Sequence, residues 1–206
     1  MMDIVLSLLM LAVTWKMLCL RYQRDRIVFL RERLARFELE RHMETLTQGY
    51  LRAIHEQDAT RRRQVLDSFA PAEDAVARQT QALAESMRTD SAEATAMGRF
   101  AFCVPWVERV FPALTRDFRQ LLQIHADGLR RVVDDRETQD ARARAFHLSA
   151  ELYLFQHSCH WFCKSRVVAD ARLVARHQVT HQKVLESVSE PTRAAYLRWL
   201  AAAGTQ

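Results

Sequence analysis

The chain begins with an apolar run from Ile4 to Leu20, whose seventeen residues include one charged side chain, Lys16. A helix of this length covers roughly 26 Å, slightly less than the roughly 30 Å of bilayer hydrocarbon. The arginines that follow lie on one side of the run only, at Arg21, Arg24, Arg26, Arg31 and Arg33. An apolar run with this charge asymmetry predicts a single membrane-spanning helix over residues 1–22.

Other interpretations of the apolar run are weaker. A secretory signal peptide carries positive charge before its apolar run and a small-residue cleavage site after it. Here only Asp3 precedes the run, and the bulky residues 15–18 offer no cleavage or lipoprotein site before Cys19. A buried core helix stays open, because seventeen residues is a marginal length. The arginines predict that the rest of the chain lies on the cytoplasmic side, or the matrix side of a mitochondrion, with the N-terminus outside.

The composition favours an all-α fold. The 206 residues include only four glycines and four prolines, and tight turns and hairpins depend on both residue types. The four cysteines form no disulfide framework, since Cys19 lies in the anchor and Cys159 and Cys163 share a predicted helix; this favours a reducing compartment. The net charge of +5 is mild and residues 61–63 are the one dense basic run, a pattern that does not favour a nucleic-acid partner.

Two further regions follow the anchor. Residues 23–56 are predicted to continue it as a long amphipathic stalk helix, because no proline or glycine intervenes before Gly49. Its apolar face shifts register near Phe37, and we expect that face to pack on the chain's own bundle; a parallel coiled-coil dimer is the alternative. Residues 57–206 are predicted to form an antiparallel helical bundle. Its predicted helices cover residues 72–88, 115–135, 137–188 as one long helix, and a short segment from Pro191.

The stretch from Met97 to Leu114 is rich in aromatic residues. Phe100, Phe102, Trp106 and Phe111 cluster around Pro105 and Pro112, each of which removes a helical hydrogen bond. The prolines predict a pair of short broken helices. The aromatic residues either fill a corner of the core or form an exposed patch that binds a partner or the membrane surface.

One cluster has the residue types of a metal site. On a helix, His157, His160 and Cys163 lie on one side, and this combination suits zinc or haem iron. His177 and His181 form a second pair, but on a continuous helix they lie roughly 30 Å from the first cluster and cannot share its ion. The alternative interpretation is that these are core histidines and small core cysteines.

Motifs of phosphate-binding loops, dinucleotide folds and serine hydrolases are missing from the sequence, which favours a non-enzymatic protein. We therefore expect a single-span membrane protein whose helical domain is an assembly, docking or regulatory module, such as an accessory subunit of a larger membrane complex. Its expected partners are membrane lipid and other subunits, bound through the spanning helix and the aromatic stretch. A zinc- or haem-binding helical bundle is the alternative.

Overall fold

Helices make up most of the chain in the computed structural model, which describes residues 2–135 and 140–202. The expected all-α class is confirmed. The predicted helix start at Glu137 lies outside the described residues. In chain order the elements are α1 (Met2–Leu34), α2 (Leu39–Ile54), α3 (Ala59–Asp67), α4 (Ala70–Ser86), α5 (Ala92–Thr95), β1 (Ala96–Gly98), α6 (Val107–Val110), β2 (Thr115–Asp117), α7 (Phe118–Asp134), α8 (Ala141–Cys163), α9 (Arg166–His177), α10 (His181–Ser187) and α11 (Glu190–Ala201).

The centre of the body is formed by α7 and α8. Helix α7 packs against α4, α8 and α11, and α8 also contacts α1, α2, α3, α9 and α10. Gly128 on α7 permits close approach of its neighbours, because a Cβ atom there would lie 2.7 Å from Oε2 of Glu151 and 2.5 Å from Oγ1 of Thr192. Gly128 therefore contributes to helix packing and not to a turn.

Helix α1 has two different halves. Residues 2–18 are exposed on every side, whereas Cys19, Tyr22, Arg26 and Leu30 are buried at helical spacing on one face. Within the described residues, α1 is the one helix long and apolar enough to cross a membrane, with a mean hydropathy of 1.9 over its best window. Since only 6% of that window is buried, the helix is not a core helix of this body.

The predicted stalk is two helices and not one. Helix α1 ends at Leu34, and α2 starts at Leu39 after a short turn. On one straight helix, the apolar residues of α1 and those of α2 would lie on different faces. The break between the two helices lets both apolar faces pack on one core, and no register adjustment within a continuous helix is needed. The expected packing of the stalk face on the chain's own bundle is confirmed, since Leu39, Met43 and Leu46 lie in the common core.

The predicted helix over residues 137–188 is also wrong in its continuity. Its described part forms α8, α9 and α10, separated by turns at residues 164–165 and 178–180. Each turn ends at a hydroxyl residue that caps the next helix: Ser165 accepts from the Val168 N–H, and Thr180 accepts from the Lys183 N–H. These two capped turns fold α9 and α10 back onto α8.

Arg26 joins the exposed half of α1 to the body. Its guanidinium is buried and donates to the carbonyl oxygen of Phe162 at 3.2 Å and to that of Ala96. The same group lies over the rings of Tyr22 and Phe162, 4.8 and 4.4 Å from their centroids. One side chain of α1 therefore contacts both α8 and the start of β1.

We expect Arg26→Ala to lower the free energy of unfolding of the body by about 3 kcal/mol, because two buried carbonyl groups lose a charged donor. Arg21→Ala is the matched control, since Arg21 is exposed and lies on the same helix. Urea denaturation of the full chain in a mild detergent, followed by circular dichroism, measures the difference. Equal stability of the two variants would contradict the role given to Arg26.

Candidate functional site

Two histidines that are distant in sequence meet inside the body. The rings of His157 on α8 and His181 on α10 are stacked with their centroids 4.3 Å apart. The separation of roughly 30 Å expected for a continuous helix is therefore wrong, because the turns at residues 164–165 and 178–180 bring α10 back. His157 Nε2 is hydrogen-bonded to Asp170 at 2.7 Å, and His181 Nε2 to the Tyr196 hydroxyl at 3.1 Å.

A third buried histidine, His125 on α7, completes this group. Its Nε2 lies 2.8 Å from Oγ of Ser158, and its ring is 6.3 Å from that of Tyr196. Because Ser158 donates its own hydrogen to the Leu154 carbonyl oxygen, the hydrogen of the shared bond belongs to His125. The residues of this histidine cluster are His125, His157, His181, Ser158, Asp170 and Tyr196.

The rings of the cluster are neutral at pH 7. Burial lowers the pKa of His125 to about 3 and that of His181 to about 4. For His157, burial lowers the pKa while the neighbouring Asp170 opposes the change. A neutral ring offers one donor and one acceptor. Nδ1 of His125 and Nδ1 of His157 have no hydrogen-bond partner among the described residues.

Glu151 is a buried carboxyl group on the same helix as His157. Its Oε1 accepts from the backbone N–H of Ser189 at 3.2 Å and from the Ser189 hydroxyl at 3.0 Å. Burial raises the pKa of Glu151 to about 7, and the hydrogen bonds from Thr192 and Ser189 oppose this shift only partly. Near neutral pH the folded chain therefore holds a proton here that the unfolded chain releases.

The residues predicted to bind metal do not converge. His157 is bonded to Asp170, while His160 Nδ1 accepts from Arg172 Nη1 at 3.1 Å. Cys163 and His160 line the same cleft, which does not include His157, and burial raises the pKa of Cys163 to about 11, so it is a thiol at pH 7. No group of three His, Cys, Asp or Glu side chains within residues 2–135 and 140–202 is placed to hold a metal ion. Zinc or haem binding at His157, His160 and Cys163 stays a prediction without support from this geometry.

The enclosed space beside the cluster is small. A cavity of about 10 Å³ adjoins His157 and His160, which is at most room for one water molecule. A substrate does not fit there, so the chemistry that this arrangement supports is internal hydrogen bonding. The cluster stabilises the packing of α7, α8, α10 and α11 on one another.

The aromatic stretch forms a loop closed by a short β-ribbon. Strands β1 and β2 pair antiparallel, with Ala96 opposite Asp117 and Gly98 opposite Thr115. Between them, α6 and a single 3₁₀ turn (Pro112–Leu114) follow the two prolines, as expected for broken short helices. Residues 99–114, between the two strands, form the exit segment, named for its contacts with α1 through Cys103, Trp106 and Glu108.

Contacts of the exit segment with α1 fix this position. The Tyr22 hydroxyl donates to Oε2 of Glu108 at 2.9 Å, and the Cys19 thiol lies 3.8 Å from the Cys103 carbonyl oxygen. Trp106 packs edge-on against the ring of Tyr22, with centroids 5.8 Å apart. The exit segment therefore contacts α1 at Cys19 and Tyr22, where the apolar run ends.

The four aromatic residues predicted to bind a partner divide into two pairs by exposure. Trp106 and Phe100 are half-buried, so part of the aromatic stretch does fill a corner. Phe102 and Phe111 are 63% and 59% exposed. Val110 and Leu114 are also exposed, so this segment carries four exposed apolar side chains.

Comparison with known protein families, with curated proteins and with solved structures gives no match to this chain. The function of this chain is therefore inferred from the geometry of α1 and of the exit segment.

We expect the free energy of unfolding to fall as the pH is lowered from 6.5 towards 4. The unfolded chain protonates its histidines in this range, while burial keeps His125 and His181 neutral in the fold down to about pH 4, which costs about 1.4 kcal/mol per pH unit for each ring. The lowered pKa of His157 acts in the same direction. Between about pH 7 and 4.5, Glu151 raises the free energy of unfolding as the pH falls, because the folded chain binds its proton at a higher pH than the unfolded chain does. Its effect is smaller than the sum of the effects of the three histidines. Urea titrations at pH 7, 6 and 5 measure the net slope.

His181→Gln should reduce this slope, whereas His55→Gln, at an exposed position on the body, should leave it unchanged. A slope that is the same in His181→Gln and in the unmodified chain would contradict the assignment of the acid sensitivity to the cluster.

Proposed function

We propose that this chain is a single-span membrane protein whose helical body is an assembly or docking module, working as an accessory subunit of a larger membrane complex. One observation carries the proposal: the apolar half of α1 projects from the body with all its large side chains exposed, from Met2 at 85% to Leu18 at 39%. In water so large an apolar surface is unfavourable, and a bilayer removes that cost.

The arginines after the apolar run support an orientation with the body on the cytoplasmic or matrix side. Arg26 and Arg33 serve the fold, since Arg26 is buried and Arg33 forms an ion pair with Asp90. Arg21, Arg24 and Arg31 are exposed. These three cations are available to anionic headgroups, which attract basic residues next to a spanning helix.

The exit segment provides the docking surface of this proposal. It contacts α1 at Cys19 and Tyr22, the level at which a spanning α1 leaves the hydrocarbon. Phe102 and Phe111 are exposed on the same segment, at 63% and 59%. We expect them to contact a neighbouring subunit, because exposed aromatic residues are enriched in protein interfaces.

We expect the full chain to stay in the membrane fraction after carbonate extraction, and the body to be digested only by protease added on the cytoplasmic or matrix side. The double variant Leu8→Glu/Leu11→Glu should release the chain, because two carboxylates are expensive in hydrocarbon. The control is Leu51→Glu, at an apolar position of the body that is equally exposed at 55%. Extraction of the unmodified chain would contradict the anchor.

Photo-crosslinking tests the docking surface. A benzophenone amino acid placed at Phe102 or at Phe111 should give a discrete protein adduct in intact membranes. The same substitution at Phe146, which is 54% exposed on α8, is the matched control and should give none. If both exit-segment positions gave adducts with lipid alone, the partner of this surface would be the bilayer and not a protein subunit.

A further inference from the structure

A cleft of about 690 Å³ lies between the base of α1, the start of α2, and the outer faces of α8 and α9. This volume falls within the range of about 300–1,000 Å³ that is typical of small-molecule sites. The cleft is separate from the histidine cluster and from the exit segment. It exists because α1 ends at Leu34 and the chain turns before α2, so that the two helices do not close over α8.

The wall of the cleft is apolar. Its lining includes Ile27, Leu30 and Leu34 from α1, and Phe155 from α8. Cys159 and Cys163 also line it, and the pKa of each thiol is raised by burial, so these side chains are uncharged. An elongated hydrocarbon chain lying here would remove this surface from water.

The polar lining of the cleft is strongly cationic. Arg31, Lys164, Arg172 and Arg176 line it, and Glu40 is the single carboxylate among the described lining residues. Within the part of the chain that the structure describes, Arg31, Lys164 and Arg176 take part in no ion pair, while Arg172 donates to His160. Arg33, Arg119 and Arg144, by contrast, each form an ion pair with a carboxylate on the body.

The pKa of His160 is lowered, as expected for a histidine beside an excess of positive charge. Burial is the larger cause that lowers the pKa of His160 to about 4, and the charges of Arg172, Arg176 and Lys164 lower it further. The histidine is therefore neutral at pH 7. It adds no charge to the site and can accept the hydrogen bond from Arg172.

We propose that this cleft binds a lipid with a single acyl chain and an anionic head group, such as a fatty acid or a lysophospholipid. The acyl chain packs along the wall formed by α1 and α8. The head group lies against Lys164, Arg172 and Arg176, where it receives charge-assisted hydrogen bonds. An inorganic anion would leave the apolar wall in water, and a neutral hydrocarbon would leave the cations without a counter-charge. The site does not require that α1 spans a membrane.

The test uses the full chain in phosphatidylcholine nanodiscs and a palmitic acid that carries a photoreactive diazirine on its chain. After illumination, peptide mapping should find crosslinks in two separate places: residues 4–20, from lipid around the spanning helix, and the cleft walls at residues 27–43 and 155–163. Unlabelled palmitate should compete for the cleft crosslinks, and methyl palmitate, which lacks the charge, should not.

The double variant Lys164→Gln/Arg176→Gln should reduce crosslinking in the cleft roughly tenfold, because two charged donors to the head group are lost, and leave crosslinking at residues 4–20 unchanged. The control is Lys183→Gln/Arg52→Gln, a lysine and an arginine outside the cleft. Arg176→Gln alone, at an exposed position, is a second variant that does not threaten folding and should reduce crosslinking in the cleft by a smaller factor. Crosslinks confined to residues 4–20, equal competition by methyl palmitate, or equal labelling of the double variant and its control would each overturn the proposal.

Discussion

The attachment of α1 to the body depends on the buried guanidinium of Arg26. Residues 2–18 of this helix are exposed on every side, so the other half holds it to the body through the single face that includes Cys19, Tyr22 and Leu30. Leucine at position 26 would supply apolar contact but would leave the Phe162 and Ala96 carbonyl groups unsatisfied. Arginine satisfies both and packs on two aromatic rings. The exit segment and the cleft both depend on this attachment, because each uses α1 as one wall.

The two capped turns after α8 have a comparable effect on the interior. Because of these turns, the segment that the sequence predicts as one helix forms three helices. His157, Asp170 and His181 are thereby brought together. The same folding back places Arg172 and Arg176 of α9 beside the cleft. One local feature, a hydroxyl residue three positions before the N–H that it caps, thus creates both the neutral cluster and the cationic site.

The sequence was sufficient for features that depend on composition and local pattern: the all-α class, the helix that follows Pro71, and the short helices after Pro105 and Pro112. It left open whether the aromatic residues after Met97 are buried or exposed. It was insufficient where position is decided by distant packing. Arg26 has the same local pattern as Arg21 and Arg24, and nothing in the sequence marks it as buried. Ser165 and Thr180 cap α9 and α10 in the structure, but the absence of proline and glycine favoured a continuous helix. Asp170 and Tyr196 join the histidines only through the resulting turns.

The rigid junction between α1 and the body has a mechanical consequence. The turn at residues 35–38 comes after the buried face of α1, so no flexible linker separates the exposed apolar half from the part that is fixed to α8. In a chain anchored through α1, the helix and the body act as a lever with its pivot in the bilayer. Spanning helices tilt by about 20° on average, and a change of that size would move a point roughly 30 Å from the pivot by about 10 Å. Bilayer thickness and neighbouring helices would thereby determine the position of the body relative to the membrane surface.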